Sequence, residues 1–286
     1  MTSPRSTRRR FLKAMGLAAA TAALPLRAMA AAAKAAQEPF AFVQLTDTQL
    51  GFGGYDHDVA MLRLAVDQIN ALKPDFVLHC GDFVHNDHDE KSWRDSAAGL
   101  KGLKVPLYAV PGNHDPLDLY AKYVGKPYGA FEHKGCTFVG LNTIEWWNKG
   151  AAEKKPARPA RPGAQETWLT ATLREAAAKR RPIVVFGHIA LWEKTIDEKP
   201  AYMNLPPTRR KALLTLFESA GVATYLTGHA HCNNVLAHKD IQLVTTASTS
   251  KNNDGTPAGY RVWTIGPQRP FAHEYVPLKG GKAGAP

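Results

Sequence analysis

Cysteine is scarce in this sequence: Cys80, Cys136 and Cys232, an odd number with no CxxC spacing. That usage excludes a zinc knuckle and a complete disulfide framework, and three small buried thiols are expected rather than one bridge and a free thiol. No uninterrupted apolar run reaches the roughly 20 residues that a helix needs to cross a bilayer. The best stretch, Ala14 to Leu26, is alanine-rich and broken by Pro25 and then Arg27. Internal repeats and an interdomain linker are also lacking. No interleaving of Lys/Arg with aromatics marks a nucleic-acid track, so no nucleic acid is expected as a partner. Acidic residues are absent from the first thirty positions, where Arg5, Arg8, Arg9, Arg10, Lys13 and Arg27 supply six of the net +11 charges. The remaining excess is modest. It suits an anionic substrate and gives no argument for nucleic acid.

The basic N-terminus has a reading of its own. Thr7-Arg8-Arg9-Arg10-Phe11-Leu12-Lys13 precedes the apolar stretch, and Ala28-Met29-Ala30 follows it. A basic start, a short apolar middle and an Ala-x-Ala end describe a secretory signal. The paired arginines before Phe-Leu-Lys resemble a twin-arginine signal, which exports proteins already folded. The expected organisation is a signal over 1–30, a spacer over 31–38, one domain over 39–278 and a flexible tail over 279–286. The protein is then expected to be periplasmic or secreted, to meet the twin-arginine export machinery, and to keep no membrane span after cleavage. An uncleaved anchor is the alternative.

Beyond the spacer, apolar runs alternate with stretches of helical period over the 286 residues. Strands are predicted at Phe40–Leu45, Phe76–Cys80, Leu107–Val110, Thr137–Leu141, Ile183–Phe186 and Val222–Leu226. Helices are predicted at Val59–Leu72, Ser92–Leu100, Pro116–Tyr123, Gln165–Lys179 and Thr208–Ala220. The first carries an apolar stripe of Val59, Leu62, Ala65, Val66, Ile69 and Leu72, with Asp58 as its expected N-cap. Asn234–Ala237, Ile241–Thr246, Tyr260–Ile265 and Phe271–Val276 read as consecutive strands of an antiparallel sheet. Alternating β and α followed by hairpins implies an α/β sandwich with mixed sheets. The proline- and lysine-rich stretch Lys149–Gly163 reads as a solvated loop, with a phosphate-recruiting flap as the alternative.

Five apolar runs end in short polar signatures: Asp47-Thr48-Gln49, Gly81-Asp82, Gly112-Asn113-His114-Asp115, Gly187-His188 and Gly228-His229-Ala230-His231. In α/β proteins the crevice beyond the carboxyl ends of strands holds ligands. Seven residues (Asp47, Gln49, Asp82, Asn113, His188, His229 and His231) would therefore meet on one rim. Carboxylate, amide and imidazole together suit a borderline or hard divalent metal. Seven donors exceed the needs of one ion, and a shared carboxylate lets them serve two. Each short piece is common by chance, whereas Gly-Asn-His-Asp and Gly-His-Ala-His in this order are specific.

These motifs resemble those of the calcineurin-like metallophosphoesterase superfamily, D-x-H, G-D, G-N-H-D/E, G-H and G-H-x-H, over roughly Phe40 to Ile265. The resemblance implies a four-layer α/β/β/α sandwich of two mixed sheets. It also implies one metal on Asp47, Gln49, Asp82 and His231, and a second on Asp82 (bridging), Asn113, His188 and His229. Gln49 departs from the usual histidine, which implies weaker binding of the first metal. The same Asp-x-Gln variant, and less specifically the stretch His188–Pro206, resembles a subgroup around calcineurin-like phosphoesterase domain-containing protein 1, associated with serine/threonine phosphatase activity. Purple acid phosphatases carry a tyrosine three residues after the Gly-Asp aspartate. His85 stands there, which argues against a tyrosinate-bound iron.

The chemistry expected of such a pair is hydrolysis of a phosphate ester by water activated between two divalent or mixed-valence ions, Mn, Fe or Zn. His114 is expected to protonate the leaving oxygen or stabilise the transition state. His85 is a candidate substrate contact, extra ligand or supporting residue. Asp115 either orients His114 or caps the helix that Pro116 opens. Trp146, Trp147 and Trp192, with Tyr202, either wall the pocket or anchor the core, and core is favoured for the tryptophans. Phosphomonoesterase is the favoured activity. A cyclic-nucleotide or glycerophosphodiester phosphodiesterase and a catalytically silent metal-binding scaffold are the competitors.

Overall fold

Strand β1 (Phe40–Leu45) shows why this chain builds layers. Successive side chains of a strand point to opposite faces, and both faces of β1 are buried: Phe40 and Phe42 in one apolar cluster, Val43 and Leu45 in another. β6 (Ile183–Phe186) divides likewise, with Val184 and Phe186 turned one way and Ile183 and Val185 the other. Strands apolar on both faces need cover on both sides. In the computed structural model, which describes residues 39–147, 163–267 and 269–280, that cover is a second sheet inside and helices outside.

One sheet has the order β11-β10-β1-β2-β3, with β2 at Phe76–His79, β3 at Leu107–Ala109, β10 at Gly259–Ile265 and β11 at Ala272–Pro277. β1, β2 and β3 run parallel, and β10 pairs antiparallel with both β1 and β11. The other sheet has the order β4-β5-β6-β7-β9-β8, with β4 at Gly129–His133, β5 at Cys136–Gly140, β7 at Val222–Thr227, β8 at Asn234–His238 and β9 at Ile241–Thr245. Its inner four strands are parallel and its two edge strands antiparallel.

Helices α1 (Tyr55–Leu72), α2 (Glu90–Leu100) and α3 (Leu117–Tyr123) pack on the outer face of the first sheet. Helices α4 (Ala164–Ala178) and α5 (Pro207–Ala220) pack on the outer face of the second. The result is the four-layer α/β/β/α sandwich of two mixed sheets that the motifs implied. Between the sheets lies an aromatic seam: Phe42 stacks on Phe76 at 5.2 Å and on Trp263 at 5.9 Å, with Phe138 edge-on at 5.4 Å. Gln44, fully buried in this layer, donates from Nε2 to the Thr227 carbonyl (2.9 Å) and accepts from Trp263 Nε1 (3.0 Å). It joins the two sheets through polar bonds sealed from water.

Five expectations are corrected. Helix α1 begins at Tyr55, a turn before the predicted Val59, so Asp58 lies inside its first turn and does not cap it. Its buried carboxylate instead accepts from the Gly51 and Gly53 amides and from Ser250 Oγ. Leu72 falls off the buried stripe and is half exposed. The four C-terminal strands form two hairpins in different sheets, because β9 joins the parallel run beside β7 while β10 pairs with β1. Strand β4 was missed: as a sheet edge it is paired on one side only, with exposed Gly129, Ala130 and Glu132. Cys80 and Cys136 are buried free thiols as expected, whereas Cys232 is only half buried.

The expected signal and spacer lie outside the described residues, as do residues 149–162 of the Lys149–Gly163 loop and 281–286 of the expected tail. Lys279, the first residue of that tail, exchanges two hydrogen bonds with Gln68. Among the described residues no helix is long and apolar enough to cross a membrane.

Candidate metal centre

The parallel strands β1, β2, β3, β6 and β7 deliver every candidate residue just past their carboxyl ends. Backbone bonds tie these loops together: Asp47 N to Gly81 O (2.9 Å), Gln49 N to Asp82 O (3.1 Å) and Gly228 N to His188 O (3.1 Å). The His229 amide donates to Asp47 Oδ2 (3.0 Å), which crosses from one sheet to the other. Asp47, Gln49, Asp82, His188, His229 and His231 are all buried.

Five of these residues have a left-handed backbone: Asp47 (φ 49°), Gln49 (35°), Asp82 (58°), His229 (68°) and His231 (49°). Such conformations cost a non-glycine residue about 1–3 kcal/mol each and persist where the surroundings impose them. A cluster of this kind on one rim is a signature of function. Close approach completes it. A Cβ on Gly112 would fall on the Asp82 carboxylate, and one on Gly228 on Thr46 Oγ1 and Asp47 Oδ2.

The histidines are oriented as metal ligands are, one ring nitrogen on a backbone carbonyl and the other left to bind. His188 Nδ1–H donates to Cys80 O (2.7 Å), and its Nε2 stands 3.1 Å from Asn113 Oδ1 and 3.4 Å from Asp82 Oδ2. His231 Nδ1–H donates to Lys251 O (2.6 Å), with Nε2 3.3 Å from Asp47 Oδ1. His229 is turned the other way: Nε2–H donates to Tyr202 O (2.9 Å), which leaves Nδ1 as its free nitrogen. A ligating nitrogen or oxygen from each of Asp82, His188 and His229 falls within 4.8 Å of the others.

With Nδ1–H spent on Cys80, His188 Nε2 faces the acceptors Asn113 Oδ1 and Asp82 Oδ2, so a proton or a metal cation must lie among the three atoms. Asp47 Oδ1 and Gln49 Oε1 are buried and accept no hydrogen bond. Convergent lone pairs and orphaned acceptors are costly unless a cation lies among them. The donor set therefore fits metal ions. The electrostatics agree. Burial opposes the charged form of His188, but the Asp82 and Asp47 carboxylates outweigh it and raise its pKa to about 9. For Asp47 and Asp82, burial is likewise overcome by neighbouring histidines, and both stay well below the usual carboxylate range. Burial, aided by His188, depresses His229 to about 4, and burial takes His79 to about 3.

His114 is half buried at the edge of this group. Its amide donates to Asp82 Oδ1 (2.9 Å), and its ring Nδ1–H donates to the His85 carbonyl (2.8 Å). Nε2 is left as the nitrogen available to a substrate. His85 thus contributes its backbone, while its exposed ring lies 5.2 Å from that of His114 and 5.3 Å from Phe52. Asp115 does not cap the helix, and its carboxylate holds backbone amides rather than the His114 ring. Helix α3 starts at Leu117 with no side-chain cap, and the buried Asp115 carboxylate accepts the amides of Asp82 (2.8 Å), Phe83 (3.0 Å) and Gly112 (2.7 Å). It clamps two ligand-bearing loops together. Burial, and then Asp82, raise its pKa to about 7.

Trp146 and Trp192 are core residues, as favoured. Trp147 packs partly buried against the same core cluster, and its ring and that of Tyr202 also pack on His229 at 5.4 and 5.0 Å; Tyr202 Oη accepts from Asn113 Nδ2 (3.3 Å). Phe52, which the motifs did not single out, packs edge-on against His231 at 4.8 Å. A cavity of about 500 Å³ between α2, α3, β3 and β4 holds none of the candidate ligands.

Residues 40–233 match the family model "Calcineurin-like phosphoesterase", and the chain belongs to that family. It is a metal-dependent phosphoric ester hydrolase. Mouse serine/threonine-protein phosphatase CPPED1 is 30% identical over 270 aligned positions, spanning 84% of each chain. A probable cyclic nucleotide phosphodiesterase of Rhodopseudomonas palustris is 34% identical over 167 positions, covering 51% of this chain and 56% of its own. Among solved structures, a dimetal phosphatase from Danio rerio superposes with a TM-score of 0.62 at 16% identity, over 85% of this chain and all of its own.

Proposed function

We propose that the protein is a phosphomonoesterase working with two divalent cations, one held by Asp47, Gln49, Asp82 and His231, the other by Asp82, Asn113, His188 and His229. The observation that carries this reading is the convergence of acceptor-only atoms on both sides of Asp82. Manganese, iron and zinc all suit the donor types. When bound, two such ions lower the pKa of water and neutralise phosphoryl oxygens.

The chain's own residues do the rest. Asp82 carries its charge between the two groups of ligands. Its Oδ1 also takes the His114 amide, which fixes that loop against it. The His85 carbonyl holds the His114 ring by Nδ1–H, so a proton carried on Nε2 can pass to a leaving oxygen. Asp115, by clamping the Asp82 and Gly112 loops, keeps His114 in register with the ligands. Phe52 on one side and Trp147 with Tyr202 on the other give the mouth aromatic walls.

The full-length similarity to CPPED1 supports a phosphoprotein or small monoester as substrate. The shorter similarity to the phosphodiesterase favours diesters as the second reading. Hydrolysis of p-nitrophenyl phosphate and bis-p-nitrophenyl phosphate by metal-reconstituted protein separates them. Dominant monoester turnover is expected, and dominant diester turnover would overturn the assignment. We also propose export by the twin-arginine route, on the strength of the paired arginines and Ala28-Met29-Ala30. Replacing Arg8, Arg9 and Arg10 by lysine should leave the protein in the cytoplasm. Unchanged export would contradict the route.

A further inference from the structure

Tyr202 belongs to none of the motifs, yet it touches two of the proposed ligands in two different ways. Its main-chain oxygen accepts His229 Nε2–H at 2.9 Å and Trp147 Nε1–H at 2.8 Å. Its hydroxyl oxygen accepts Asn113 Nδ2–H at 3.3 Å. The first bond fixes the His229 tautomer and leaves Nδ1 to bind. The second turns the amide of Asn113 so that Oδ1 faces His188 Nε2, 3.1 Å away. Partners of this kind set ring and amide orientation, and with it ligand strength.

The connection that carries Tyr202, residues 187–206 between β6 and α5, is anchored beyond what an exposed loop needs. Fully buried Arg210 donates to the carbonyls of Ile196, Glu198 and Leu205. The Glu198 carboxylate accepts the amides of Glu193, Lys194 and Thr195 and the side chain of Asn204. Asn204 in turn takes the Ala201 amide at 2.9 Å, and Leu205 N bonds to Ala190 O at 3.0 Å. Tyr202 remains 44% exposed on this frame, tilted 31° to His229 and nearly perpendicular to Trp147. A rigid support under an exposed aromatic has a purpose if the aromatic holds something in place.

We propose that Tyr202 is a positioning residue for the cation at Asp82, Asn113, His188 and His229, holding His229 through its carbonyl and Asn113 through its hydroxyl. The proposal rests on the two-cation reading above. Tyr202→Phe removes the hydroxyl and keeps ring and carbonyl. Manganese binding to the metal-stripped full chain, followed by calorimetry, should then show one equivalent weakened about tenfold and the other unchanged. Turnover of p-nitrophenyl phosphate at limiting manganese should fall with it and recover in excess manganese, with KM unaltered. Trp147→Phe, which removes the other donor on the same carbonyl, should weaken the same equivalent by a smaller factor. It carries the test if Tyr202→Phe does not fold. Wild-type affinity for both equivalents in the variants overturns the proposal, as does equal weakening of both or a loss of turnover that excess manganese does not restore. A wild-type chain that binds fewer than two equivalents would instead overturn the two-cation reading itself.

Discussion

At the scale of single residues, buried carboxylates, amides and imidazoles converge with their lone pairs together. In metal-stripped protein a proton sits on His188. Its pKa of about 9 in the folded chain exceeds the ordinary 6.5, so the protonated ring stabilises the metal-free fold fully below pH 6.5. That contribution is lost as pH rises through about 9. A cation must displace the proton, so manganese affinity is expected to rise roughly tenfold per pH unit between 6.5 and 9. Calorimetry at pH 6.5, 7.5 and 8.5 checks this, and a flat profile would contradict it. In the proposed site, Gln49 would supply a neutral amide oxygen where the resembled motif carries imidazole. Gln49→His is expected to tighten binding of one equivalent, measured by chelator competition, because histidine tolerates the left-handed backbone at that position. The seven ligand candidates were picked out from residue type and order, and the fold brings them to one rim; the role expected of His114 came with the family resemblance. The role of Asp115 was not legible: in sequence it precedes a proline and looks like a cap, and only the fold brings the Asp82, Phe83 and Gly112 amides around it. Tyr202 was a candidate pocket wall without a motif, whereas Phe52 carried no sequence signal and is marked only by its packing on His231.

At the scale of elements, strands with two apolar faces were easy to read, and helix positions followed from the periodic stripe. The misplaced C-terminal strands have a clear physical cause: hairpin signals are local, whereas the choice of which sheet a hairpin joins depends on distant pairing. Hence β8–β9 and β10–β11 looked like one antiparallel unit and belong to two sheets. In the connection between β6 and α5, the Glu198 carboxylate binds three backbone amides. Glu198→Ala should cost about 1–2 kcal/mol. In a chain of this size that lowers Tm by about 2–4 °C per kcal/mol in thermal denaturation. An unchanged Tm would mean that water replaces the carboxylate without loss.

At the scale of the whole molecule, the site exists because two sheets meet. Asp47, Gln49, Asp82 and Asn113 come from one and His188, His229 and His231 from the other, so the geometry depends on how the sheets are held together. Gln44 joins them from β1 to Thr227, one residue before Gly228. Trp263→Phe takes away the indole N–H that satisfies Gln44 Oε1 and leaves a buried acceptor unpaired. A loss of about 1–3 kcal/mol is expected in urea denaturation, with aromatic packing largely kept. No loss would show that the Gln44 bridge does not stabilise the sandwich.

The most direct test of the account is a stoichiometric one: metal-stripped protein titrated with manganese while p-nitrophenyl phosphate hydrolysis is followed, beside His114→Ala. Turnover is predicted to climb with the second equivalent and to fall at least about 100-fold in the variant, which should still bind both ions. Full turnover without added metal, full turnover at one equivalent, or two bound ions with no phosphate-ester hydrolysis would contradict it.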